Sequence, residues 1–529
     1  MSAKSKCVNL TPYFFGIVLI SISIYLMVNQ PHTTFMRDLV YKEFELVEGT
    51  AGYDQIWHDL DMLFRVWFFD VSNPDAVMDG ALPELIERGP YVYDMKVEKD
   101  VIKIDEEADE MDFYTIRTYY FNKKLSFGSE DDEITIINSA YMGTIGTIVA
   151  AFPSFLKKLG NNIQKLYPGM YDIFARGKVS DVLFGGLPME CDPNKYKELK
   201  LICSFLTGKK PAVITDTEVP GVYKWSFFRR LNGTRQGPLT VNRGVKNKTR
   251  LGDTTAYKGK RVQSIWKSEE CNAVLGTDSV TWPPMEKTLD YVHVFEPQIC
   301  RWIKTDYKEE VTIHNLMGDR YELNEKPWSP EESLCYCPVV KKQPVCPPSG
   351  LVDLTPCLEA PIFYSEPHFM HGDPALLEYA KGLRPDPSLH ATFVTIEPLS
   401  GIPLSGSKKS QLNVKVIQSP VVEILSNVTE GYFPILWVEE GKNATLASLG
   451  ERLQIERIIK LLAYMVHVPL VIGIFVILKA FYLQSYAGGS KPKFEPVENL
   501  DSVLVRQNPR LDKPRVSVSQ RIRTRVNRF

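Results

Sequence analysis

The signatures of several common enzyme chemistries are missing from this sequence. It has no G-x-S-x-G nucleophile elbow, no H-E-x-x-H metal helix, no phosphate-cradling G-x-x-x-x-G-K-[ST] loop and no G-x-G-x-x-G turn. Those gaps make an enzyme the weaker functional class. A strong charge bias is missing too, since 62 Lys and Arg face 64 Asp and Glu for a formal net charge of −2. A balance that even argues against a nucleic-acid binder held by bulk charge. No repeat of fixed period and no long Gly/Ser linker occurs, which excludes a solenoid or a string of tethered modules. The most consequential absence is local. From Cys7 to Met36, and again from Leu461 to Leu478, there is no Lys, Arg, Asp or Glu.

An apolar helix of roughly 18–20 residues rises about 27–30 Å, enough to cross the hydrocarbon core of a bilayer. Both uncharged runs reach that length, and the second is apolar on every face rather than along one stripe. It exits through Lys479, Phe481, Tyr482 and Tyr486, the aromatic and basic residues of a membrane interface. The first run is read as an uncleaved anchor, because Asn29, Gln30, Pro31 and His32 offer no small-residue cleavage site. His467 and Pro469 inside the second run fit a packing hydrogen bond beside a proline kink.

Lys4 and Lys6 precede the first span, and the tail after the second is basic, ending in Arg521, Arg523, Arg525 and Arg528. The positive-inside rule then puts both termini in the cytosol. The expected organisation is a cytoplasmic N-terminus (1–10), a span (11–29), an extracellular segment (30–458), a second span (459–483) and a basic cytoplasmic tail (484–529). Attraction to anionic headgroups explains that tail more simply than nucleic acid does.

Of nine cysteines, Cys7 lies on the cytosolic flank, where S-acylation is the natural reading. The other eight, Cys191, Cys203, Cys271, Cys300, Cys335, Cys337, Cys346 and Cys357, fall between the spans, an even count that favours disulfides. Cys335-Tyr-Cys337 is too tightly spaced for half of a zinc site. Glycosylation sequons at Asn232, Asn247, Asn427 and Asn443 share that segment, whereas Asn9 lies at the cytosolic edge and is expected to be unused.

Aromatic and β-branched residues predict strands at Tyr91–Ile104, Phe113–Phe121, Val222–Phe228, Gln411–Ile417 and Pro434–Val438. Phe152, Phe155, Leu156, Leu159 and Ile163 predict an amphipathic helix over Ala151–Tyr167, with short helices at Lys178–Phe184 and Pro374–Lys381. This is an α+β pattern for one large domain, although the length also permits two. His368, His371 and Asp373 are the tightest set of potential metal ligands, but their Pro/Gly-rich stretch reads as turns and packed imidazoles, so no metal is expected. The acids Glu106, Glu107, Glu130 and Glu133 read as solvated loop charge.

An ordered series of short stretches resembles the class B scavenger receptor family, and within it the insect sensory neuron membrane protein branch. The series comprises Leu85-Ile-Glu-Arg-Gly-Pro-Tyr91, Ala256-Tyr-Lys-Gly-Lys-Arg261, Gly276-Thr-Asp278 with Pro283-Pro284, Gln298-Ile-Cys-Arg301, Cys335-Tyr-Cys337, Gly350-Leu-Val-Asp353, Pro367-His-Phe369, Ile396-Glu-Pro398 and Pro434-Ile-Leu-Trp437. The resemblance implies bridges Cys271–Cys335, Cys300–Cys357 and Cys337–Cys346, a pairing the sequence itself leaves open. Cys191 and Cys203, following Leu183-Phe-Gly185, resemble the sensory branch in particular and imply a fourth bridge. The implied fold is a large antiparallel β-barrel-like ectodomain with a helical cap and an internal apolar tunnel, flanked by two transmembrane helices. No lysine falls cleanly where the scavenger branch places a cap lysine for fatty-acid carboxylates, so Lys157, Lys158 and Lys165 stand as candidates for ligand access, and a neutral ester or aldehyde ligand suits the gap.

The resemblance further implies a non-enzymatic plasma-membrane co-receptor without cofactors. Its partners would be lipophilic small molecules such as pheromones, odorant-binding proteins that carry them, membrane lipids and an odorant receptor complex. A general lipid scavenger receptor and a lysosomal trafficking receptor are the alternatives. The tail has no acidic dileucine signal, and Tyr482 and Tyr486 lack a bulky apolar residue at +3, which favours the cell surface.

Overall fold

A computed structural model describes residues 9–209, 213–340 and 342–488. They form two compact units, the described parts of 1–29 and 464–529 in one and 30–463 in the other. Cys7 and the basic tail beyond residue 488 lie outside the described residues.

In the smaller unit, α1 (Thr11–Asn29) lies along the helix Val468–Gly488. Gly16 and Gly473 bring the two backbones close, the small-residue contact that substitutes for a hydrophobic drive in lipid. Tyr13 Oη donates to Gln484 Oε1 at 2.7 Å, and Ser23 Oγ donates to the Val466 carbonyl at 2.5 Å. These pairs make the helices antiparallel. Val466 and His467 form a break, after which the chain re-enters helix with Pro469 in its first turn. Pro469 has no N–H to extend the preceding helix, which accounts for the break. The apolar run is shared between helix Gly450–Met465 and helix Val468–Gly488.

The larger unit is built on thirteen antiparallel strands: β1 (Asp59–Val71), β2 (Leu85–Asp105), β3 (Glu110–Phe121), β4 (Arg235–Asn242), β5 (Thr254–Tyr257), β6 (Tyr291–Glu296), β7 (Arg301–Ile313), β8 (Leu316–Glu322), β9 (Val352–Asp353), β10 (Ile362–Ser365), β11 (Phe393–Ile396), β12 (Pro403–Val416) and β13 (Gly431–Asn443). Their order is β5-β4-β3-β2-β1-β13-β12-β11-β8-β7-β6, with β10 on β12 and β9 on β10. Thr277 joins the two edge strands, since it bridges Asp253 beside β5 and Val294 of β6. Its neighbours complete the seam: Thr254 N–H donates to the Gly276 carbonyl (2.8 Å) and Phe295 N–H to that of Thr277 (2.9 Å). Gly276 holds φ +94°, and a Cβ there would stand 2.4 Å from the His293 carbonyl carbon, so glycine is required at the seam. Joining the edges removes open strand edges and makes the sheet a near-barrel.

Side chains alternate across each strand. Register places Phe64 opposite Tyr93 and Glu440, Met95 opposite Tyr119, Val97 opposite Arg117, and Lys408 opposite Glu440. These residues share the interior face. Arg65, Trp67 and Phe69 point the other way, where Trp67 stacks on Trp437 at 3.7 Å and segments 366–391 cover them.

Residues 133–228 form the cap. The expected helix Ala151–Tyr167 is present as α3 (Pro153–Ile163) continued by a 3-10 turn at Gln164–Leu166, and a further helix, α2 (Ser139–Ala151), precedes it. Pro153 starts a new helix because it cannot donate into the previous one. Helix α2 is apolar around most of its surface and carries Gly143 and Gly146, so no amphipathic period announces it. Lys178 closes a strand, and the short helix predicted at Lys178–Phe184 follows directly as a helical segment over residues 179–185, π-helical through Asp181–Gly185. Around Pro374–Lys381 only Ala375–Glu378 is helical.

Candidate functional site

Aromatic rings line the end of the barrel beneath the cap. Phe64 lies edge-on to Tyr119 (5.0 Å) and Phe228 (5.1 Å), and Tyr93 packs on Phe184 (5.2 Å). Phe184 reaches this position from the Asp181–Gly185 helical segment and Phe228 from the loop after strand Val222–Trp225, so cap and barrel share one apolar lining. Two residues along β3 from Tyr119, on the same face, comes Arg117.

Arg117 belongs to a set of interior charges. Lys408 Nζ donates to Glu296 Oε2 at 2.9 Å and pairs with Glu440 Oε2 at 3.0 Å. Burial pushes the Glu440 carboxyl up, but Lys408 and Arg117 outweigh it and hold it below its ordinary value. Burial likewise opposes charge on Lys408, yet Glu296 and Glu440 raise its pKa above the ordinary lysine value. Arg117 is also held charged, by Glu440 and Glu296, against the cost of burial. Two cations meet two anions in this set.

Lys408 stands on the inward face of β12, half-buried, its side chain keeping 26% of its accessible surface. The barrel interior therefore combines an aromatic upper wall with a charged but compensated patch. Lys99, also on this face, plays a different part. It pairs with Asp278, which accepts from Trp57 Nε1 at 3.1 Å, and burial pulls the Lys99 ammonium down to about 8 despite that partner. Both side chains are buried, so this pair locks the seam motif to β2 and offers no surface to a ligand.

The cap cleft between α2 and Glu359–Ile362, with Thr144, Phe205 and Leu206 along it, has room of about 40 Å³, space for ordered water rather than a lipid. Lys157 and Lys158 are exposed on α3, and Lys165 donates to Asn162 Oδ1 at 2.7 Å and approaches Glu198. None of the three lines that cleft or the barrel interior.

Four disulfides join Cys191 to Cys203, Cys271 to Cys335, Cys300 to Cys357 and Cys337 to Cys346. Asn247, Asn427 and Asn443 are exposed, whereas Asn232 is half-buried, its Oδ1 accepting from Tyr119 N–H at 3.3 Å. Glu130 accepts from Tyr93 Oη at 3.0 Å, so it is not simply solvated loop charge.

The structure separates His368, His371 and Asp373. His371 Nδ1 meets Glu366 Oε2 at 2.7 Å, and Asp373 Oδ1 accepts from Ala375 N–H. Among the described residues a different trio of potential ligands, Glu87, His368 and His390, comes within 4.8 Å. Its tautomers oppose a metal. His368 Nδ1 accepts from Arg384 N–H (3.1 Å) and His390 Nδ1 from Asp386 N–H (2.9 Å), so each ring carries its proton on Nε2. His368 Nε2 spends that proton on Glu87 Oε2, which also receives Trp437 Nε1–H at 3.0 Å. A metal would need a lone pair where each ring presents a proton.

Arg117, Lys408, Glu296 and Glu440 were not legible as a site. Lys408 and Lys409 are adjacent, and strand alternation says only that one of them faces inward. The register against Glu440 decides which.

Comparison with known proteins agrees with the motif series. The model of the CD36 family matches residues 14–484. Sensory neuron membrane protein 2 of Manduca sexta is 32% identical over 446 residues, covering 81% of this chain and 85% of that protein. The same protein of Heliothis virescens is 30% identical over 459 residues, with 84% and 86% covered. Sensory neuron membrane protein 1 of Mamestra brassicae is 33% identical over 412 residues, 77% of each chain. A family match across both apolar spans and the whole barrel, with relatives this similar over most of their length, shows that this chain belongs to the CD36 family of membrane receptors.

Proposed function

We propose that this protein is a co-receptor that passes long, uncharged lipophilic semiochemicals through its barrel interior toward a neighbouring odorant receptor. In this reading the barrel lies outside and both termini in the cytosol, the orientation that the positive-inside rule implies. Transfer energy gives the reason for a protein path. Each buried methylene is favourable by about 0.8 kcal/mol, so a chain of a dozen prefers an apolar surrounding by about 10 kcal/mol and leaves it slowly for water.

The observation that carries the reading is Lys408, half-buried on the inward face of the sheet with its charge matched by Glu296 and Glu440. An aromatic wall suits a hydrocarbon chain, and a compensated patch suits one neutral polar group, such as an aldehyde, alcohol or ester, that accepts or donates a hydrogen bond. A carboxylate would arrive at a patch with no net positive charge. The test uses the full chain in detergent, loaded with a fluorescent long-chain probe and displaced by an aldehyde, an acetate ester and a fatty acid of equal length at neutral pH. The neutral ligands should displace at concentrations about tenfold lower or better. A clear preference for the fatty acid would overturn the reading and favour a general fatty-acid scavenger.

A further inference from the structure

Arg37 is the first charged residue after the uncharged run that ends at Met36, and Lys460 is the last before the run that starts at Leu461. A charge bordering an apolar span sits at the bilayer interface. The two residues are far apart in the chain, yet both line one groove of about 420 Å³ on the larger unit. We propose that this groove binds the headgroup of a zwitterionic phospholipid from the surrounding bilayer and so seats the barrel on the membrane.

The groove has a rigid inner part and a loose outer part. Inside, Arg452 is almost fully buried and committed. Its Nε and Nη2 donate to the two carboxylate oxygens of Glu397 at 3.0 and 2.9 Å, and Nη1 donates to Glu456 Oε2 at 3.0 Å. Such a fork holds the wall without offering a charge to a ligand. Outside, Arg37 stands 3.9 Å from Glu286, at the limit of an ion pair, with the two side chains 42% and 80% exposed. Lys460 reaches the far oxygen of Glu456 at 3.3 Å and is 58% exposed. Exposed pairs of this kind contribute little and are easily split.

These outer charges have the pattern of a phosphodiester with a tethered ammonium. Arg37 and Lys460 supply donors for the phosphate, and Glu286 supplies an anion for the ammonium or choline. Met317, 55% exposed, and Leu399 lie in the same groove and offer apolar surface for the glycerol end. Three cations and three carboxylates line the groove, so its net charge is zero. That balance selects a dipolar headgroup over a purely anionic one.

The proposal is independent of the ligand path, because none of these residues belongs to the barrel interior. Its test is native mass spectrometry of the delipidated full chain in detergent, titrated separately with dioleoylphosphatidylcholine, dioleoylglycerol and inorganic phosphate. Phosphatidylcholine should give one saturating adduct per chain, and the other two should give none at the same concentration. Arg37→Gln with Lys460→Gln should weaken the adduct about tenfold or more, while Lys408→Met should leave it intact. Glu286→Gln should raise the affinity for phosphatidylglycerol relative to phosphatidylcholine. Equal binding of dioleoylglycerol would mean that the tails alone are held, and binding of inorganic phosphate would mean a plain anion site. An adduct that survives the double substitution, or is lost with Lys408→Met, would place the lipid elsewhere. Any of these results overturns the proposal.

Discussion

Glu440→Gln separates the compensated interior from every alternative arrangement of the same residues. The carboxamide keeps the size of the side chain and an acceptor toward Lys408, but it removes one negative charge from a set in which Arg117 and Lys408 are balanced by Glu296 and Glu440. The interior patch becomes net positive by one. A ligand carboxylate arriving within about 6 Å of that uncompensated charge gains roughly 3 kcal/mol at an effective dielectric of about 20, a factor near a hundred. An aldehyde or ester of equal length gains almost nothing. The ratio of fatty-acid to aldehyde affinity, read by probe displacement on the full chain, should therefore rise by one to two orders of magnitude. Lys408→Met should shift the ratio the other way. Glu296→Gln makes the same charge change from β6 and serves if Glu440→Gln folds poorly. A ratio that stays within about threefold of wild type in both carboxamide variants, with both ligands still bound, would mean that these charges do not face the ligand, and the reasoning from Lys408 would fail.

Replacing Cys191 and Cys203 by serine opens a bridge with a sequence separation of 12, which should destabilise the cap by about 3 kcal/mol. Faster hydrogen exchange confined to Lys200–Lys209 and its neighbours should show this, and uniform acceleration over the barrel would contradict it. His390 is held neutral by burial and by nearby His368, its pKa pulled down to about 4. Because the unfolded chain binds that proton first, stability should fall as pH drops from about 6.5 toward 4, by roughly 3 kcal/mol in all. His390→Asn, which keeps an acceptor for Asp386 N–H, should flatten that part of a denaturation series, and an unchanged pH slope would refute the assignment. Glycosidase mass shifts on single Asn→Gln variants should show glycans at Asn247, Asn427 and Asn443 and least at half-buried Asn232. No glycan at any of the four would refute the proposed topology.

The spans, the α+β pattern and the cap's amphipathic helix were legible because each is a local signal, a run or a period within one segment. What was not legible came from register. Glu87, His368 and Trp437 lie in three of the stretches that carried the family resemblance, hundreds of residues apart at the extremes, and they meet at a single carboxylate oxygen. The spacing of His368, His371 and Asp373 instead suggested a local cluster, but a one-residue step inside a turn sends neighbouring side chains in opposite directions. Gly276-Thr-Asp278 was legible only as a family mark. The structure gives it three tasks at once: a backbone only glycine can hold, a bridge between the two edge strands, and an anion for buried Lys99. The interior charges were hidden for a related reason. A sequence reveals that a strand alternates, and Lys408 beside Lys409 fits either phase, so the inward lysine is fixed only by the pairing of β12 with β13. What recognises a ligand here depends on partners that the chain brings together last, whereas the anchors that hold it at the membrane are written in unbroken runs.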